Sequence, residues 1–170
     1  ADLAKKYDFE PMMWSDMFFR LANHGEYYTR NPEIITEEIV KCVPDNVELV
    51  YWDYYQKERE PYDRMIEAHK RFKKPVWFAG GAWTWTGFTP HNNLSNIITK
   101  SAMSACRDGG VENIFLTCWG DNGGEEKSCK AACEALKILD EWRKNGIFFL
   151  QSFFFCAFFA KFTPKFAGYK

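Results

Sequence analysis

Four short segments of the chain carry the same kinds of residue. They are Trp14-Ser15-Asp16, Tyr51-Trp52-Asp53-Tyr54-Tyr55, Gly81-Ala82-Trp83-Thr84-Trp85 and Cys118-Trp119-Gly120-Asp121-Asn122. Each places Trp beside a hydroxyl or a carboxylate. Indole rings present flat apolar faces, and a carboxylate accepts hydrogen bonds from hydroxyls. A ring with C–H faces and a hydroxylated edge, such as a pyranose, suits both. Five of the seven Trp fall in these segments, and in three of the four an Asp follows within two residues. A single Trp of this kind is more often core than ligand wall, but core packing does not require the repetition.

Other chemistries find little support. Gly80-Gly81 is followed by Trp83 and Trp85, so the phosphate-cradling G-x-G-x-x-G is absent, and there is no G-x-S-x-G elbow. His24, His69 and His91 are scattered. His69 belongs on a helix face and His91 near the mouth of any site at the strand ends. None of the six Cys forms a C-x-x-C pair, and Cys129 and Cys133 have no His nearby. Small buried thiols in a reducing compartment explain them, and neither a metal nor a cofactor is expected. With 22 Lys+Arg against 23 Asp+Glu, the chain lacks the basic field that nucleic-acid binding uses. The basic run Lys70 to Lys74 closes a helix, where cations favour the dipole. The apolar run from Ile147 to Ala160 has 14 residues, against about 20 for a spanning helix, and no signal-peptide pattern opens the chain. Neither nucleic acid nor membrane is an expected partner, and the expected location is cytoplasmic.

The elements that position these segments alternate. Strand-like runs fall at Phe9 to Trp14, Val47 to Tyr51, Val76 to Ala79 and Asn113 to Thr117. Helices are expected from Asn31-Pro32 with an Ile34, Ile35, Ile39, Val40 stripe, from Pro61 through Met65, Ile66, His69 and Phe72, from about Leu94 to Cys106, and from about Glu125 to Lys144. Four strand–helix repeats with apolar strands predict an α/β fold built on a parallel sheet. An open doubly wound sheet and a stretch of (β/α)8 barrel both fit, and in either the site lies at the carboxyl ends of the strands.

The segments Pro11 to Phe18, Tyr51 to Tyr55, Trp77 to Trp85 and Thr117 to Glu125 resemble the last four strand ends of family 20 glycoside hydrolases, the β-N-acetylhexosaminidases. The likeness spans roughly Asp8 to Ala135 and is nearest to the bacterial branch that trims terminal N-acetylglucosamine. Trp119-Gly120-Asp121-Asn122-Gly123-Gly124 is its most specific part. It implies a (β/α)8 barrel of which these are strands five to eight. It also implies that Trp14, Trp52 and Trp119 box the N-acetyl group and floor the sugar, and that Asp121 binds distal hydroxyls. Many members carry Glu where Asp121 stands. Many also carry Tyr-x-Asp on strand seven, where this chain has Thr84-Trp85-Thr86; a phenol from Tyr54 or Tyr55 is the substitute. Trp83, Trp85 and Asp53 complete the expected substrate-binding set, with Asp16 and Asp53 equally suited to orienting their neighbours.

The catalytic pair of that family is an adjacent Asp-Glu after strand four. The only Asp-Glu here is Asp140-Glu141, expected on a solvated helix face. No catalytic residue is therefore assigned in this chain, and the pair is expected upstream. A barrel takes about 250 residues, so 170 residues with four βα units read as a half barrel over 1–145, followed by a Phe-rich tail over 146–170 that the resemblance does not explain. The expected partners are a saccharide ending in N-acetylhexosamine, and the missing barrel half or a second copy of the chain. The expected activity is that of an exo-β-N-acetylhexosaminidase acting by substrate-assisted retaining catalysis. The alternatives are a non-catalytic saccharide-binding half-domain or an inactive fragment.

Overall fold

A computed structural model of the chain describes residues 1–86 and 89–119, and the backbone of 149–150. Two short elements open it: helix α1 (Asp2–Lys6) and strand β1 (Met12–Trp14). Helix α2 (Asp16–Ala22), a 3-10 turn (Pro32–Ile34) and helix α3 (Glu37–Lys41) lead to strand β2 (Glu48–Trp52). Then come α4 (Glu60–Lys70), β3 (Trp77–Gly81), α5 (Asn92–Asp108), β4 (Asn113–Thr117) and β5 (Phe149–Leu150).

The fold is α/β. All strand pairings are parallel, and the strands lie in the order β1-β2-β3-β4-β5, each beside its predecessor. The register places Trp14 opposite Val50, and Val50 opposite Trp77. Parallel strands need a crossover between them, and α4 and α5 supply it for β2–β3 and β3–β4.

Alternation along the strands divides the sheet into two faces. Leu49, Tyr51, Phe78, Ile114 and Leu116 join Phe18 and Phe19 of α2, Met65 and Ile66 of α4, and Ile98 and Met103 of α5 in the main core. The opposite face gathers Val50, Ala79 and Phe115 with Met12, Trp14, Trp52 and Trp77, all strand residues. Among the described residues, helices α2 to α5 thus pack on one face of the sheet. Arg59 ties α4 to α5 through Asp63 on one side and Ser104 and Asp108 on the other.

Several expectations need correction. The helix expected from Pro32 is interrupted. Asn31 Oδ1 accepts from Glu33 N and caps a single 3-10 turn, then Thr36 is extended at φ −82° and ψ 167°. The break turns Ile35 into the core, where it is 1% exposed. Helices α1 and α2 have no counterpart in the sequence periodicity; α2 buries only Phe18 and Phe19, too short a stripe to register as a period. Cys106 is buried as expected but Cys42 is exposed, because it ends α3 on the solvent side. His69 does lie on the expected face of α4, buried there with Met65 and Ile66 and 3% exposed. The expected helix over 125–144, with Asp140-Glu141, lies outside the described residues, as does the Phe-rich tail except at Phe149–Leu150, whose backbone pairs with β4. No helix among the described residues is long and apolar enough to cross a membrane.

Candidate functional site

The carboxyl ends of the strands open into a cavity of about 420 Å³ lined by Trp14, Asp16, Trp52, Tyr54, Tyr55, Trp85 and Trp119. β1 delivers Trp14, and the turn into α2 delivers Asp16. β2 delivers Trp52 and, just past its end, Tyr54 and Tyr55. Trp85 follows β3 and Trp119 follows β4. Residues from four segments up to 105 positions apart therefore meet because the strands are parallel and in step.

The wall is a run of ring-on-ring contacts. Trp14 and Trp119 lie 6.4 Å apart between centroids, Trp52 and Tyr54 5.4 Å, and Tyr54 and Trp85 5.5 Å. Tyr54 fits here because β3 ends in glycine. A Cβ on Gly81 would stand 2.7 Å from Tyr54 Cδ1 and 3.0 Å from a ring carbon of Trp85. Burial raises the Tyr54 phenol above its ordinary pKa, opposed by hydrogen bonding from Thr117 and Trp119, so the phenol is held neutral.

Asp16 is the one carboxylate among the described lining residues. Its Oδ1 accepts from Trp52 Nε1 at 3.3 Å, and its Oδ2 lies 3.4 Å from Arg20 Nε. An ionised carboxylate has about four acceptor sites, so both oxygens retain capacity for ligand hydroxyls.

Not every expected residue reaches the cavity. Asp53 is fully buried behind the wall. Its Oδ2 accepts from Tyr51 Oη at 3.1 Å and its Oδ1 from Tyr55 N at 3.0 Å. Burial raises the Asp53 carboxyl, while bonds from Tyr55 N and the Tyr51 and Tyr28 phenols favour the charged form. Its observed role is to hold the loop that carries Tyr54 and Tyr55. Trp83 also stands outside the lining. Its Nε1 donates to Tyr54 O at 2.6 Å, and its ring meets Tyr55 edge-on at 5.5 Å. Asp121 lies outside the described residues. His91 is exposed at the start of α5 and does not line the cavity.

The sequence matches no known protein-family model and no curated protein.

Two supporting roles have no signal in the sequence. Tyr27 stacks on Trp52 at 5.0 Å, donates its hydroxyl to Trp52 O at 3.0 Å and accepts from Trp52 N at 3.3 Å. His69 hydrogen-bonds Ser15, which sits between Trp14 and Asp16. Neither residue belongs to a strand end, and each acts across 25 or more positions, so local spacing carries no sign of it. Among the described residues no cluster of His, Cys, Asp and Glu is arranged to hold a metal ion.

Proposed function

We propose that this cavity is a saccharide subsite, and that the chain belongs to an exo-acting β-N-acetylhexosaminidase of the (β/α)8 type. The observation that carries the reading is the lining itself: four Trp, two Tyr and one carboxylate converging at the carboxyl ends of parallel strands. Aromatic faces take the C–H faces of a sugar, and Asp16 and the Tyr hydroxyls take its edge. Barrel architecture is supported by the unreversed strand order and by helices packing on one face. A doubly wound sheet reverses its order at a switch point and carries helices on both faces.

In the reaction so proposed, the acetamide carbonyl oxygen of the substrate attacks C1 as the glycosidic bond breaks. A Glu protonates the departing oxygen and an Asp orients the acetamide. Water then opens the oxazoline-type intermediate with retained configuration. This chain's part is to hold the terminal N-acetylglucosamine or N-acetylgalactosamine against Trp14, Trp52, Trp85 and Trp119. The Asp-Glu pair is supplied by a complementary barrel half or a partner.

One observation favours a second reading. Glycoside hydrolysis generally needs two carboxyl groups flanking the bond, and Asp16 is the single one among the described lining residues. A non-catalytic saccharide-binding module would need no more. Titration of Trp fluorescence with N-acetylglucosamine, beside a chromogenic β-N-acetylglucosaminide assay, tests both readings. Quenching without turnover by the chain alone is the expected result. Robust turnover overturns the assignment of the acid to a partner, and no response to any N-acetylhexosamine overturns the saccharide reading.

A further inference from the structure

We infer that His69 and Ser15 form a buried positioning pair that sets the β1 side of the cavity. His69 Nδ1 lies 2.6 Å from Met65 O, a carbonyl that only accepts, so Nδ1 carries the proton. Nε2 is then an acceptor, and the Ser15 hydroxyl 2.7 Å away donates to it. Ser15 occupies the N-cap of α2, where a serine oxygen ordinarily accepts from the first-turn N–H groups. It makes no such bond here. Its hydroxyl is committed to a helix 54 residues away instead.

The pair resembles an activated serine, but the geometry rules that out. Ser15 is 0% and His69 3% exposed, so no substrate atom reaches the hydroxyl. What the pair does reach is the wall. Ser15 is flanked by Trp14 and Asp16, both lining residues, and its backbone N donates to Val50 O at 2.9 Å. With the hydroxyl held by His69 and the amide by β2, the turn that aims Trp14 and Asp16 is fixed at two points. Asp16 in turn accepts from Trp52 Nε1. The imidazole is itself clamped between Phe19 at 4.5 Å and Tyr51 at 4.6 Å. His69 is thus a positioning residue and not a catalytic one. The positioning stands without any ligand; that the positioned groups hold a saccharide rests on the proposed function.

The test combines indole N–H resonances of the full chain with sugar titration. His69→Phe keeps the ring and removes both hydrogen bonds, Ser15→Ala removes the donor, and His69→Gln restores an acceptor. In the first two, the Trp14 and Trp52 indole signals should shift while that of Trp83 stays in place, and N-acetylglucosamine affinity should fall about tenfold. The double variant should fall no further than either single, and His69→Gln should recover most of the loss. Unmoved Trp14 and Trp52 signals in folded Ser15→Ala overturn the positioning role, as does a wild-type imidazole protonated at Nε2. Shifted signals in a chain that binds no sugar leave the positioning intact and remove the saccharide reading alone.

Discussion

Trp52 donates its indole N–H to Asp16 across 36 residues of sequence, at 3.3 Å, within the lining of the cavity. The bond joins the end of β2 to the first turn of α2. It holds an aromatic face and a hydroxyl acceptor in one frame, which a sugar needs together.

Asp16 therefore has two tasks, and its replacement should reveal both. Asp16→Ala is expected to weaken N-acetylglucosamine binding by about tenfold, the worth of a hydrogen bond to a charged group. Asp16→Asn keeps an oxygen for Trp52 and should lose less. Fluorescence titration of the two variants checks the order; equal affinities to wild type would remove Asp16 from the site.

Trp119 stands opposite, 6.4 Å from Trp14. Trp119→Ala should reduce the quenching of Trp fluorescence by N-acetylglucosamine and cost about 1 kcal/mol of binding. The fold should survive, since the Trp119 side chain is partly exposed. Unchanged affinity would show that the sugar sits elsewhere.

Gly81 is a shape requirement. Gly81→Ala places a methyl group against Tyr54 and Trp85. Overpacking of this kind costs about 1–3 kcal/mol, so thermal unfolding should shift down and sugar affinity should fall together. Gly25, at φ +100° with open space where its Cβ would lie, is a contrast: Gly25→Ala should lower stability through backbone strain and leave binding alone.

The His69 imidazole is held down to about 4 by burial, against an ordinary 6.5. Above pH 6.5 both folded and unfolded chains carry it neutral, and its contribution is full. Between pH 6.5 and 4 the unfolded chain takes up a proton that the folded chain refuses, so stability falls as pH falls, by about 3 kcal/mol in all. Asp53 works in the opposite sense, because burial makes the folded chain take its proton first. Urea unfolding of wild type against His69→Phe isolates the histidine: the wild type should lose stability more steeply between pH 7 and 5. Parallel slopes would contradict a buried neutral His69.

Much of the framework was legible from local pattern. β4 occupies Asn113–Thr117, where its apolar run between turn residues placed it, and α5 extends the expected helix by about two residues at each end. The Trp-bearing strand ends also converge: Trp14, Trp52, Tyr54, Tyr55, Trp85 and Trp119 share one cavity. Asp53 and Trp83 were indistinguishable from their neighbours by spacing. Their place behind the wall depends on which way the chain turns after β2 and β3, and that turn is set by Tyr51, Tyr54 and Tyr55 packing around them.

Residue types and their period alone determined that strands alternate with helices, that the sheet is parallel, and that Trp and Asp gather where strands end. Those are properties of near neighbours, and sequence records near neighbours directly. Tertiary structure decided which Trp face the cavity, that Asp16 holds Trp52, and that His69 is locked to Ser15 in the core. The last two are contacts across 36 and 54 residues, made by strand register and by helices seated on one face of the sheet. No local pattern encodes such a distance; it exists only once the chain has packed.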